Sequence, residues 1–270
     1  SILALDPKTG TIKWHYQTTP NDPFDFDTVN ELVHADIDGS KVLMQANRNG
    51  VFYVLDRATG ELIAAPKFVD KLNWADSIDL ETGRPNETDV AIKARSGEQI
   101  TFWPSALGGK NWSPMAYNPK TRTIFANTNK FGMHYKAVEP QYRPGVFYFG
   151  AEFSWDWPDG DRGELRAFDP MTGVVKWSDS IAIPRYSGIL STDGKAFVGR
   201  KMPIGMLRPS TGIDLVPHRG RYPAGPSCLI PYIDPQPCGF GLVLPFALPF
   251  LEQLDRGIIY YPVSYTHLTL

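Results

Sequence analysis

One short unit returns along this chain and restricts its fold more than any other feature. It reads Leu3-Ala4-Leu5-Asp6-Pro7-Lys8-Thr9-Gly10-Thr11-Ile12-Lys13-Trp14, then Tyr53-Val54-Leu55-Asp56-Arg57-Ala58-Thr59-Gly60-Glu61-Leu62. A third copy runs from Arg166 through Asp169-Pro170-Met171-Thr172-Gly173 to Trp177, and a weaker one, Met115 to Arg122, lies before it. Each copy is an apolar strand, a tight turn and another strand. The Asp or Asn side chain can bond the turn amides, Pro presets φ, and Gly takes the positive φ of a hairpin bulge. The unit therefore predicts β-hairpins.

The hairpins recur about every fifty to sixty residues, the long end of the range for propeller blades, with insertions accounting for the excess. Trp14 and Trp177 stand at the same point of their repeats and are expected between neighbouring blades, where an indole supplies large apolar area. Pro and Gly, 24 of each, interrupt most helical windows, so an all-β chain is expected. The polar stretch Asn73 to Gly97 reads as a long insertion, because strand-like sequence resumes at Ile100. After Gly199 the pattern fails. Residues 200–262 read as a degenerate tail, frameshifted or chimeric, that keeps only Pro209-Ser210-Thr211-Gly212 as an echo. Residues 263–270 (VSYTHLTL) look like translated sequencing adapter. The domain expectation is thus a partial propeller over 1–199 followed by these two segments.

Charge excludes some partners. Lys and Arg number 27 against 29 acids, a net charge of −2, with no basic run among aromatics, so nucleic acid is not expected. The longest apolar run, Leu242 to Leu251, is broken by Pro245 and Pro249 and is too short to span a bilayer. Cys228 and Cys238 match no zinc spacing. The chain starts inside a repeat, so a truncated start fits, and the lack of a leader carries no information about compartment.

The chemistry concentrates in three places. In Asn21 to Glu31, NDPFDFDTVNE, Asp25 and Asp27 alternate with aromatics, as on one side of a strand. Two such acids repel, and a hard cation would relieve the repulsion. The plainer reading has Asp22 and Asp25 bonding local amides and Asp27 in solvent. Arg48, in Asn47-Arg48-Asn49-Gly50, could donate its planar fork to an anionic ligand and to Asp25 together. In Gly108-Gly109-Lys110-Asn111-Trp112, glycine permits close backbone approach and Asn111 offers donor and acceptor. His34, His134 and His218 stand alone and read as structural, and no GxGxxG or GxxxxGK[ST] occurs.

Taken together, WHYQTTPNDPFDFDTVNEL, NRNGVFYVLDRATG, GGKNWSPMAYNPKT, GELRAFDPMTGVVKW and SGILSTDGKAFVG resemble the quinoprotein alcohol dehydrogenases of the methanol and ethanol dehydrogenase group, over about Ser1 to Gly199. That resemblance implies middle and later blades of an eight-bladed β-propeller with tryptophan-docking repeats. It also implies pyrroloquinoline quinone (PQQ) as cofactor, with a lanthanide ion or alternatively Ca2+. By the same resemblance Asp25 matches the catalytic base, and Arg48 matches the Arg on the quinone carbonyls. Asn111 and Trp112 match the segment at the cofactor rim. Asp27 matches the extra acid of lanthanide-dependent members, so Asp25 and Asp27 are the expected metal ligands in this chain.

The implied reaction is oxidation of a small primary alcohol to an aldehyde by metal-assisted hydride transfer to PQQ. A periplasmic cytochrome c is the implied electron acceptor, the implied location is the periplasm, and a homodimer is left open. The alternative is a non-enzymatic propeller that serves as scaffold or binding module. The family's further metal ligands, disulfide ring and quinone-sandwiching Trp would precede Ser1. The truncated chain is accordingly expected to be inactive.

Overall fold

A computed structural model describes residues 1–142, 144, 145, 150–192 and 195–199, together with the strands Ile213–Val216 and Ile259–Pro262. The first hairpin is β1 (Ile2–Leu5) and β2 (Ile12–Tyr16). A four-stranded meander follows: β3 (Val33–Ile37), β4 (Ser40–Ala46), β5 (Phe52–Asp56) and β6 (Leu62–Ala64). Next come the small hairpin β7 (Ala75–Ile78) and β8 (Pro85–Glu87), helix α1 (Asp89–Ser96) and β9 (Ile100–Phe102).

A second four-stranded meander combines β10 (Ala116–Asn118) and β11 (Thr123–Asn129) with β14 (Gly163–Phe168) and β15 (Val175–Ile181). Between its halves β12 (Gly132–Ala137) and β13 (Ala151–Asp156) leave to form an accessory sheet with β9. A last sheet joins β16 (Ile189–Thr192), β17 (Lys195–Gly199) and β18 (Ile213–Val216). Finally β19 (Ile259–Pro262) pairs antiparallel with β1, Ile2 opposite Pro262. Apart from β18 and β19, the expected tail 200–262 and the adapter-like end 263–270 lie outside the described residues, as do Cys228, Cys238 and His218.

The hairpin expectation holds in each copy, and for the stated reason. Asp6, Asp56 and Asp169 each accept, through Oδ1, the amides two and three residues on. Gly10, Gly60 and Gly173 close the turns at φ +72°, +78° and +71°. The ladder slips one residue at the same place each time, between Ala4 and Leu5, Val54 and Leu55, Ala167 and Phe168. In the weak copy Asn118 caps the turn, and Arg122 occupies the glycine position at φ +50°.

The Asn73–Gly97 insertion is more ordered than its polarity suggests. Asp79, Thr82 and Gly83 repeat the same turn chemistry between β7 and β8. Helix α1 starts at Thr88, whose side chain caps the Val90 amide, and ends at Gly97 in left-handed conformation.

Alternation along β4 and β5 sends side chains to two cores. Leu43, Tyr53 and Leu55 join Ile2, Tyr16, Phe24, Phe26, Trp74 and Phe102 on one side. Val42, Met44, Phe52 and Val54 join Ile124, Ala126 and Phe168 on the other. The opposite face of the β11–β14 sheet packs Phe125, Leu165 and Ala167 against Ile189 of the next sheet. The sheets thus stack face to face in chain order. Trp14 packs on the first core and lies against Gly60 of the following sheet, where an added Cβ would come within 2.5 Å of the indole. Trp177, half-buried, lies against Phe125 with ring centroids 5.8 Å apart. Trp14 therefore docks against the following sheet, as its place in the repeat predicts, and Trp177 packs on the Phe125 cluster that Ile189 of the next sheet joins.

Candidate functional site

In an antiparallel meander successive turns alternate ends, so the Asp-Thr-Gly turns all fall at one end of the stack. The connections at the other end are 17–32, 47–51, 65–115, 130–162 and 182–188. All the expected site residues, Asp25, Asp27, Arg48, Asn111 and Trp112, lie in three of these connections.

The segment around Asp25 is not a strand. It is irregular, and Asp25 itself sits at φ +63°, where a short polar side chain is tolerated better than most. The strand-like alternation nevertheless survives: Phe24, Phe26, Thr28 and Asn30 are buried, while Asp25 is exposed and Asp27 half-buried. Asp22 Oδ1 and Oδ2 accept the Phe24 and Phe26 amides at 2.8 and 2.7 Å, which shapes the loop. Local bonding is thus the work of Asp22, and the next two acids are turned outward.

Arg48 draws these pieces together. Its Nη1 lies 3.2 Å from Asp27 Oδ2 and donates to the Asp25 carbonyl at 3.2 Å and the Ala106 carbonyl at 3.3 Å. Its side chain is 11% exposed, and its buried Nε has no hydrogen-bond partner among the described residues. Gly108, at φ +81°, lets the next loop close on it, since a Cβ there would come within 2.6 Å of the Arg48 side chain. Arg48 thus meets the main chain of Asp25 and the carboxylate of Asp27.

Asn111 is buried and its amide serves its own loop: Nδ2 donates to Leu107 O at 2.9 Å and Oδ1 accepts from Trp112 N at 2.8 Å. Trp112 is 57% exposed beside it and offers an open apolar surface. The expected donor and acceptor of Asn111 thus shape a shelf that carries Trp112.

Two features escaped the sequence reading. Lys110 is buried and pairs with Glu31 at 2.8 Å; burial lowers its pKa and Glu31 pulls it back up. Tyr186 stands in the 182–188 connection, which is held by Asn127 Nδ2 donating to Ser187 O and by Arg185 N donating to Asn129 Oδ1. Its buried Oη has no partner among the described residues. Burial pushes its phenol up to about 12, against the pull of nearby Arg48. No local motif marks either residue.

Among the described residues no three of His, Cys, Asp and Glu gather closely enough to hold a metal ion, so these residues offer at most a partial ligand set. The chemistry present suits a hard cation and an anionic, carbonyl-rich ligand. Two carboxylates stand outward, a guanidinium keeps one buried N–H unsatisfied, and a flat indole lies open beside them.

A separate cleft of about 410 Å3, lined by Trp103, Trp157, Lys71, Asp70, Lys130 and Arg166 among others, sits behind Gly109. Several of its charges are paired within its own walls: Arg166 with Asp70 and Glu164, Lys130 with Asp70. Lys71 lies over Trp103 at 3.8 Å. His134 Nδ1 lies 2.8 Å from Thr101 Oγ1, and His34 is half-buried on β3. Among the described residues no helix is long and apolar enough to cross a membrane.

Sheets stacked face to face in chain order, docked by repeat tryptophans and carrying their polar loops at one end, define a β-propeller. Residues 1–67 match the β-propeller domain of the glucose/ethanol/alcohol dehydrogenases, the PQQ family. The chain is 42% identical over 204 residues to the quinoprotein ethanol dehydrogenase of Pseudomonas putida, covering 71% of this chain and 33% of that protein. It is 38% identical over 210 residues to the lanthanide-dependent methanol dehydrogenase of Methylorubrum extorquens, covering 72% and 35%. Among solved structures, a europium-containing methanol dehydrogenase superposes with a TM-score of 0.66 at 35% identity, over 73% of this chain and 36% of that one. The chain belongs to the PQQ-type quinoprotein alcohol dehydrogenase family. It spans about a third of the length of these relatives.

Proposed function

We propose that the chain is part of a PQQ-dependent alcohol dehydrogenase that oxidises small primary alcohols to aldehydes. The observation that carries this reading is Arg48, fixed between the Asp25 carbonyl and the Asp27 carboxylate with a buried N–H unspent. A scaffold protein has no use for such a buried, half-satisfied guanidinium at the mouth of its loops. The whole enzyme would be a longer propeller, eight-bladed on the family pattern.

When bound, PQQ supplies an electrophilic quinone that accepts the hydride of the alcohol carbon, and its ion supplies Lewis acidity. Arg48 would hold the quinone oxygens and stabilise negative charge there. The Asp25 carboxylate would take the hydroxyl proton of the alcohol, and Asp25 and Asp27 together would ligate the ion. Asn111 and Trp112 would form the shelf at the cofactor rim. A trivalent ion gains more than a divalent one from a second carboxylate, because attraction scales with the product of charges. Asp27 therefore favours a lanthanide over Ca2+. On the same reading the enzyme works in the periplasm and passes electrons to a cytochrome c, and a homodimer is compatible with it.

The test is to recover the complete gene and assay its product with PQQ plus lanthanum or calcium. Asp27→Ala should abolish activation by lanthanum while leaving activation by calcium. Equal activation by both ions in wild type and variant would remove the metal assignment, and no PQQ-dependent oxidation with either ion would remove the function. Sequencing the source DNA tests the reading of 200–262 and 263–270 as non-native, which uninterrupted native coding through Leu270 would overturn.

A further inference from the structure

Two acids of the 21–31 segment are each met by a cation from a different loop: Asp27 by Arg48 and Glu31 by Lys110. The two cations are themselves joined, because Gly109 N donates to the Arg48 carbonyl at 2.8 Å. Asp27, Arg48, Gly109, Lys110 and Glu31 thus close a ring through the chain between the two acids.

Lys110 is the anchor of that ring. Its side chain is 1% exposed, with Nζ 2.8 Å from Glu31 Oε2 and 3.2 Å from Asn111 O. Glu31 uses its other oxygen to accept the Met115 amide at 2.6 Å, and Asn30 Nδ2 donates to Asn111 O at 2.8 Å. Burying an ammonium so deeply costs more than burying an apolar side chain of the same shape, so packing alone does not account for it. What a charge pair adds is a fixed register between the two segments it joins.

We propose that the Lys110–Glu31 pair is a positioning clamp. It fixes where Asp25 and Asp27 stand relative to Arg48 and the Asn111–Trp112 shelf, and so sets the affinity of that site for its quinone. The proposal rests on the PQQ reading for its ligand but not for its geometry.

The test uses the full-length protein with Lys110→Met, Glu31→Gln and the double variant Lys110→Met/Glu31→Gln. PQQ binding is followed by fluorescence quenching below each variant's thermal midpoint, and amide hydrogen exchange is followed in 21–31 and 108–115. Each single variant should bind PQQ about tenfold more weakly, the size seen when supporting contacts of a site are lost. The double variant should regain its thermal midpoint without regaining affinity, since a neutral pair restores stability but not register. Affinity that returns with the midpoint, or that never changes, would overturn the clamp. Should the wild type bind no PQQ, the functional reading fails by itself, and exchange decides the clamp: faster exchange in both segments together supports it, and faster exchange in the mutated segment alone overturns it.

Discussion

Arg48 shows what one side chain can do that a charge alone cannot. Its single Nη1 serves two carbonyls and a carboxylate while the buried Nε has no partner among the described residues. Arg48→Lys keeps the charge and loses the planar fork, so kcat/KM of the complete enzyme should fall about a hundredfold with little change in thermal midpoint. His34 gives the residue-scale dependence on pH. Burial, helped by the Arg57 cation, lowers its imidazole to about 4. The unfolded chain takes up that proton near 6.5 and the folded one only near 4. The folded state therefore binds fewer protons between those values, so His34 lowers stability as pH falls from about 6.5 to about 4 and has no effect above that window. Urea midpoints across the window should fall less in His34→Gln than in wild type. At this scale the sequence marked Asp25, Asp27, Arg48, Asn111 and Trp112, and the fold gathers them at one end. Lys110 with Glu31 went unread because no spacing rule joins residues 79 apart, and Tyr186 because no local motif marks it.

Elements were legible where their cause is local. The Asp-x-x-Thr-Gly turns specify their own hydrogen bonds within five residues, which is why each hairpin could be placed from sequence. The same grammar at Asp79 to Gly83 was hidden inside a polar stretch that lacks flanking apolar strands. The accessory sheet was not legible at all, since β9 and β12 pair Thr101 with His134 across two intervening blade strands. Alternation in Phe24 to Asn30 was read correctly as one face in and one face out, although capping by Asp22 rather than a ladder produces it. Tryptophan docking can be isolated with two glycines of matched backbone. Gly10 and Gly60 have φ of +72° and +78°, but a Cβ meets nothing at Gly10 and the Trp14 ring within 2.5 Å at Gly60. Gly10→Ala should cost about 1 kcal/mol, the left-handed penalty alone, and Gly60→Ala about 1–3 kcal/mol more from overpacking, measured by urea denaturation.

For the whole molecule, stability and function depend on neighbours that stack on both sides. Each sheet buries one face against the sheet before it and one against the sheet after it, as the two cores shared by β4 and β5 show. A run of such sheets leaves its terminal faces and edges uncovered, so residues 1–270 alone should neither reduce a dye with PQQ nor hold the cofactor tightly. Cofactor-dependent dye reduction by the purified chain would contradict this.

The division of loops between the two ends of the stack has a practical corollary. The β3–β4 turn at Asp38-Gly39 faces away from Asp25, Arg48 and Trp112, and a Cβ at Gly39 would meet nothing within 4 Å. A thiol or short peptide grafted there would tether the protein to an electrode with its working mouth toward the bulk solution.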